Sequence, residues 1–136
     1  MVYTAHATSI AGREGKTETD DKKISFKLSD PNSDSGVNPE QLFACGYGAC
    51  FGSSVAAVAK SENIKIDEVK VVSAISLNKS GEKDFFLGAE LNIILKGVED
   101  SVAEKLVKQA HTVCPYSKAT KGNIIVRLKV NGKEVS

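Results

Sequence analysis

Asn38-Pro39-Glu40-Gln41-Leu42-Phe43-Ala44-Cys45-Gly46-Tyr47-Gly48-Ala49-Cys50-Phe51-Gly52-Ser53-Ser54-Val55-Ala56-Ala57-Val58-Ala59-Lys60 is the run from which the architecture of this 136-residue chain can be worked outward. Its start is strongly marked. Asn38 offers a side-chain oxygen suited to an N-cap, and Pro39 fits the first helical position, where the missing N–H costs no bond. Gln41 stands three residues beyond the cap, as in a capping box, with Val37 and Leu42 at the staple positions. The spacing predicts a helix to about Lys60, with Asn63 near its exit. Leu42 to Ala59 is eighteen residues without a charge, close to membrane-span length, and Gly48-x-x-x-Gly52 is a pattern that pairs membrane helices. Yet Ala, Gly, Ser and Cys dominate it and gain little on transfer to lipid, and it lacks the flanking basic residues that set a topology. The expectation is a soluble helix, apolar all round, at the centre of the molecule.

On the N-terminal side, Tyr3 to Ile10 is rich in β-formers, Gly12-Arg13-Glu14-Gly15 reads as a turn, and residues 16–20 and 24–28 give two further strands. Ser29 to Asn38 is a loop of Ser, Asp, Asn, Gly and Pro. On the C-terminal side, residues 68–78 alternate through Val69, Val71, Ser73, Ile75 and Leu77, and residues 85–95 through Phe85, Leu87, Ala89, Leu91, Ile93 and Leu95. The Gly81-containing loop between them makes a hairpin, and one-sided alternation points to antiparallel sheet. Ser101-Val102-Ala103-Glu104 has the pattern of a capping box, and Val102, Leu106, Ala110 and Val113 form one stripe of an amphipathic helix. Pro115 pushes Cys114 out of the helical region and ends it there. Residues 124–131 make the last strand. The order βββ-α-ββ-α-β is α+β, with helices gathered against antiparallel sheet.

Composition narrows the function classes. One domain, residues 1–136, suits the length. With 18 Lys+Arg against 17 Asp+Glu the net charge is +1, which argues against a polybasic nucleic-acid or membrane-surface binder. The chain is 41% hydrophobic and 26% charged, unlike a disordered one. Three cysteines, Cys45, Cys50 and Cys114, are too few and odd in number for a disulfide-stapled secreted domain. The N-terminal residues have no basic segment followed by an apolar run, so a reducing cytoplasm is the expected compartment.

Four chemistries compete for the cysteines. Small buried hydrophobes are the plainest. Gly48-Ala49-Cys50-Phe51-Gly52 matches a nucleophile elbow on paper, but the elbow needs a strand entering and a helix leaving, whereas Cys50 falls in mid-helix. His111-x-x-Cys114 with Cys50 would supply three soft metal ligands, though without a C-x-x-C pair. Thiol redox chemistry needs a thiolate, a route for an oxidant and a second thiol to resolve the sulfenic acid. Cys114, at a helix end, is a plausible resolver. Cys45 and Cys50, about 140° apart around a helix, are not a natural pair. Cys50 lies about three turns in, beyond the reach of the N-terminal dipole, and burial disfavours its thiolate. A cation must be brought to it. The two arginines are Arg13, in a Gly-flanked loop, and Arg127, on the polar face of the last strand. A carboxylate holding the guanidinium fork would complete the set.

Asn38-Pro39-Glu40-Gln41-Leu42-Phe43-Ala44-Cys45-Gly46-Tyr47-Gly48-Ala49-Cys50-Phe51 resembles the central-helix motif of the OsmC/Ohr family. Val113-Cys114-Pro115-Tyr116-Ser117-Lys118-Ala119-Thr120-Lys121-Gly122-Asn123-Ile124 resembles the second-cysteine motif of its organic hydroperoxide resistance (Ohr) branch. The resemblance covers nearly the whole chain. It implies antiparallel sheets wrapped around a central buried helix, an intertwined homodimer, and a thiol peroxidase that reduces organic hydroperoxides, fatty-acid hydroperoxides included. It makes Cys50 the peroxidatic and Cys114 the resolving cysteine, with Glu40 and Arg13 as the catalytic carboxylate and arginine. It implies no bound cofactor or metal, and recycling by a lipoylated protein or other dithiol. Cys45 and Gly48 depart from the residues usual in the motif, without removing a catalytic group. The alternatives are an OsmC-branch peroxidase of broader specificity and a non-catalytic apolar-ligand binding module on the same fold. Glu40 and Cys50 are ten residues apart, about 15 Å along a straight helix. The expectation is therefore that the carboxylate and its arginine come from the other subunit across a two-fold axis.

Overall fold

The computed structural model describes residues 1–135 in two compact units, Met1–Leu42 and Phe43 onward. The first unit is an antiparallel meander of β1 (Ala7–Ile10), β2 (Lys16–Thr19) and β3 (Ser25–Lys27), in which Ala7 pairs with Thr19 and Lys16 with Lys27. A single 3-10 turn, Gly12–Glu14, joins β1 to β2. Residues 1–6 are irregular, so the first strand is shorter than its β-forming composition suggests. This unit buries little. Ile10, Ile24 and Phe26 are all exposed.

Helix α1 (Pro39–Ser61) starts where its cap residues require. The Gln41 N–H donates to Asn38 Oδ1 at 2.9 Å, and the Asn38 N–H donates to Gln41 Oε1 at 2.8 Å, a reciprocal capping box. The 23-residue helix is long and apolar enough to cross a membrane. In the second unit, however, it is a core helix. Tyr47, Phe51, Val55 and Ala59 form a four-residue-spaced stripe with no more than 3% exposure. It differs from a helix buried on all sides, because Cys45, Ala49, Ser53 and Ala56 face outward. Those side chains are small, so leaving them uncovered forfeits little apolar burial.

The second unit is built on a four-stranded sheet. Strand β4 (Glu68–Ser80) and β5 (Asp84–Lys96) form a long hairpin, with Ser73 opposite Leu91 and Ser80 opposite Asp84. Ala89, Leu91, Ile93 and Leu95 alternate into the core, as strand geometry requires. Gly97, at φ 87°, turns the chain after β5. Helix α2 (Asp100–Val113) follows, two residues earlier than a cap at Ser101 predicts. Its cap position is Glu99, whose carbonyl accepts the Ala103 N–H at 2.9 Å, and no side chain caps it. Asp100 in the first turn complements the dipole instead. Ala103, Leu106, Val107 and Ala110 of α2 join the core.

Two elements beyond the sequence expectation follow. Helix α3 (Pro115–Thr120) occupies what reads as a loop, and a two-residue β7 (Lys133–Glu134) pairs with β6 (Ile125–Val130). Pro115 both ends α2 and supplies the first residue of α3. Strand β6 lies parallel to β5, Gly88 beside Ile125 and Ile93 beside Val130. The α+β class holds, with one parallel pairing in an otherwise antiparallel sheet. The α2–α3 crossover returns the chain in its original direction, which a parallel pair needs and a tight hairpin cannot give.

Candidate active site

Each unit holds one part of the expected constellation. In the second, Cys50 sits in the middle of α1, partly buried, and Cys114 lies fully buried at the junction of α2 and α3. Their sulfurs are 3.6 Å apart, and both are free thiols. A disulfide needs about 2.05 Å, so closure requires an approach of about 1.5 Å. Cys114 has extended backbone (φ −61°, ψ 122°) between two helices, its N–H bonded to the Ala110 carbonyl at 2.8 Å. Its own carbonyl accepts the Lys118 N–H at 3.0 Å.

Burial pushes the Cys50 thiol above its ordinary pKa; the Tyr116 backbone N–H works against this, and the neighbouring Cys114 thiol adds to it. Around the sulfurs stands an aromatic cluster. The Phe43 and Tyr47 rings meet edge to face at 6.1 Å, Tyr47 and Tyr116 are 5.8 Å apart, and Phe43 and Tyr116 are 6.2 Å apart. Gly46 leaves room for this cluster, since a Cβ there would come within 2.8 Å of the Tyr116 hydroxyl.

In the first unit, Arg13 and Glu40 form the expected fork. Nη1 donates to Oε2 at 3.0 Å and Nη2 to Oε1 at 2.5 Å. The pairing lowers the Glu40 pKa and raises that of Arg13, in each case mainly through the hydrogen bonds between them. Ala11 and Gly12, at φ 59° and 56°, bend the loop that presents the arginine. Glu40, in the first turn of α1, also faces the positive end of the helix dipole.

Arg127 is a surface residue. It bonds Glu134 and lies 3.8 Å from Glu90. Cys45 is exposed, off the buried stripe that carries Tyr47 and Phe51. The His111 imidazole is engaged by the Ser117 hydroxyl at 2.8 Å. Among the described residues no three His, Cys, Asp or Glu side chains gather to hold a metal ion. What the sequence did not disclose is α3 and the bonds that tie it to α1. The available signal was Pro115 at a helix-starting position with Gly122 two residues past Thr120.

The model of the OsmC-like protein family matches residues 31–129. The chain is 42% identical over 136 residues to the organic hydroperoxide resistance protein OhrA of Bacillus subtilis, covering 95% of this chain and 96% of the relative. It is 42% identical over 134 residues to the organic hydroperoxide resistance protein of Xanthomonas axonopodis pv. citri, covering 94% of each. The crystal structure of Bacillus subtilis OhrB superposes with a TM-score of 0.90 at 40% identity, over 96% of this chain and 99% of that one.

Proposed function

Because the chain belongs to the organic hydroperoxide resistance branch of the OsmC-like family, we propose that it is a cysteine peroxidase that reduces organic hydroperoxides, fatty-acid hydroperoxides among them, to alcohols. The observation that carries this reading is the 3.6 Å separation of two free sulfurs, Cys50 and Cys114, beside an aromatic cluster. Relatives named for organic hydroperoxide resistance supply the substrate class.

The Cys50 thiolate attacks the outer peroxide oxygen. The S–O bond forms, the O–O bond breaks, and the alkoxide leaves as the alcohol after taking a proton. Cys50 is then a sulfenic acid. The Cys114 sulfur displaces its hydroxyl, which leaves as water, and a disulfide closes. An external dithiol, such as the dihydrolipoyl group of a lipoylated protein, reduces the disulfide and is itself oxidised. Tyr116 and the partly exposed Phe43 offer apolar surface to the substrate's alkyl chain. The reading needs no bound cofactor and places the protein in a reducing cytoplasm, with residues 1–136 acting as one domain.

The thiolate needs help, because its local surroundings favour the thiol. Arg13, held in a bidentate grip by Glu40, is the cation we assign to it. Ten residues of an ideal straight helix rise about 15 Å, so we assign the pair to the Cys50 of a second copy. An intertwined homodimer is supported by the exposed Ile24 and Phe26 of the first unit, two residues apart and on the same face of its sheet. A three-stranded sheet with an open apolar face gains by packing on a partner. The test is peroxide consumption with reduced lipoamide as the only reductant. Turnover of an alkyl hydroperoxide that vanishes in Cys50→Ser supports the reading, and an inert wild type contradicts it.

A further inference from the structure

We propose that Ser117 is a positioning residue for the resolving step: bonded to Tyr47 and His111, it pins α3 so that the Cys114 sulfur stays within reach of the Cys50 sulfenic acid. The proposal rests on the peroxidase reading above.

The observation is a buried polar chain that the chemistry described so far leaves unused. The Ser117 hydroxyl lies 2.9 Å from the Tyr47 hydroxyl and 2.8 Å from His111 Nδ1. The Tyr47 hydroxyl is also 3.3 Å from Thr120 Oγ1, which donates to the Ser117 carbonyl at 3.0 Å. Tyr47, Ser117 and Thr120 are each 2% exposed or less. With a proton on Nδ1, donation runs unbroken from His111 to Ser117, Tyr47, Thr120 and back to the Ser117 carbonyl. Every hydroxyl in it then both donates and accepts.

Three elements meet at this one side chain: α1 through Tyr47, α2 through His111, and α3 through Ser117 itself. Cys114 lies three residues before Ser117, at the pivot between α2 and α3. Its backbone is held at 2.8 Å on the α2 side and 3.0 Å on the α3 side. A six-residue helix with no side-chain cap has little stability of its own. Its orientation, and with it the direction of the Cys114 Cβ–Sγ bond, depends on the hydroxyl chain. A buried network pointing along one arrangement specifies geometry more sharply than apolar contact does.

The consequence is kinetic partition. A Cys50 sulfenic acid either condenses with Cys114, losing water, or meets a second hydroperoxide, gains another oxygen as a sulfinic acid and releases a second alcohol. Loosening α3 slows only the first branch. Intact mass after an excess of alkyl hydroperoxide separates the products: disulfide shows loss of two hydrogens, sulfinic acid gain of two oxygens. In Ser117→Ala the sulfinic fraction is expected to rise about fivefold to tenfold over wild type, the factor carried by about one net hydrogen bond. His111→Ala should raise it similarly. His111→Asn, whose amide reaches the Nδ1 position, should restore partition close to wild type. Circular dichroism melting identifies any variant that fails to fold, and the His111 pair then carries the test. Wild-type partition in folded Ser117→Ala and His111→Ala would overturn the positioning role. A wild type that forms no Cys50–Cys114 disulfide at all would instead overturn the peroxidase reading.

Discussion

Cys50 is a sulfur whose own surroundings oppose its ionisation, and Glu40 is a carboxylate whose surroundings favour it; the two shifts set the residue-level expectations. If Arg13 offsets the burial of Cys50, Arg13→Ala should slow iodoacetamide alkylation of Cys50 near pH 6 by about tenfold, the effect of one pKa unit. Equal alkylation rates would remove the arginine from the mechanism. Glu40 titrates lower in the folded chain than unfolded, so its stabilising contribution is present above about pH 4.3 and is lost as pH falls through the lower folded value. The melting temperature of wild type should therefore exceed that of Glu40→Gln at neutral pH and converge with it in acid. Given one equivalent of hydroperoxide, Cys114→Ser should reduce it and hold Cys50 as the sulfenic acid, with no disulfide in the intact mass. Composition narrowed the candidates to two arginines and three cysteines, and the resemblance of the two cysteine motifs to the OsmC/Ohr family supplied the expectation that Cys50, Cys114, Arg13 and Glu40 act together. That Cys50 and Cys114 would meet was not legible from spacing, since 63 intervening residues separate them and only a folded sheet brings them together.

The elements were legible wherever one local force dominates. The Asn38–Gln41 box fixed the start of α1, and strict alternation fixed β4 and β5. Where local signals compete, the tertiary structure decides. Ser101 has the sequence of a cap, but after the turn at Gly97 the cap falls on Glu99, two residues earlier. The parallel β6 follows from where the α2–α3 crossover delivers the chain, which periodicity does not encode. The contact of α1 with β4 yields a quantitative expectation. A Cβ on Gly48 would come within 2.6 Å of Ser73 Oγ, a buried atom without a hydrogen-bond partner. Gly48→Ala gains about 1 kcal/mol of helix propensity but must displace that hydroxyl. The double variant Gly48→Ala/Ser73→Ala removes the conflict and should be about 1 kcal/mol more stable than wild type by urea titration, with a non-additive cycle. Strict additivity would mean that the two sites do not meet.

At the scale of the whole molecule, the proposed pairing of Arg13 with the Cys50 of another chain calls for a second copy. The small-residue face of α1 and the apolar side chains of the first unit are uncovered in one chain. Sedimentation should give twice the 14.5 kDa chain mass. Mixing the slowed Arg13→Ala with inactive Cys50→Ser should raise turnover above that of Arg13→Ala alone, because one site of each mixed dimer then holds an intact arginine and an intact cysteine. No complementation would place both groups on one chain. Beneath all of this lies the pairing of two sulfurs through an organic peroxide. The direct measurement is intact mass and free-thiol count after one equivalent of an alkyl hydroperoxide and, in parallel, of hydrogen peroxide. Rapid loss of two hydrogens and two thiols with the alkyl substrate, mapped to Cys50 and Cys114, is the predicted result; unchanged mass, or a disulfide that includes Cys45 instead, would contradict it.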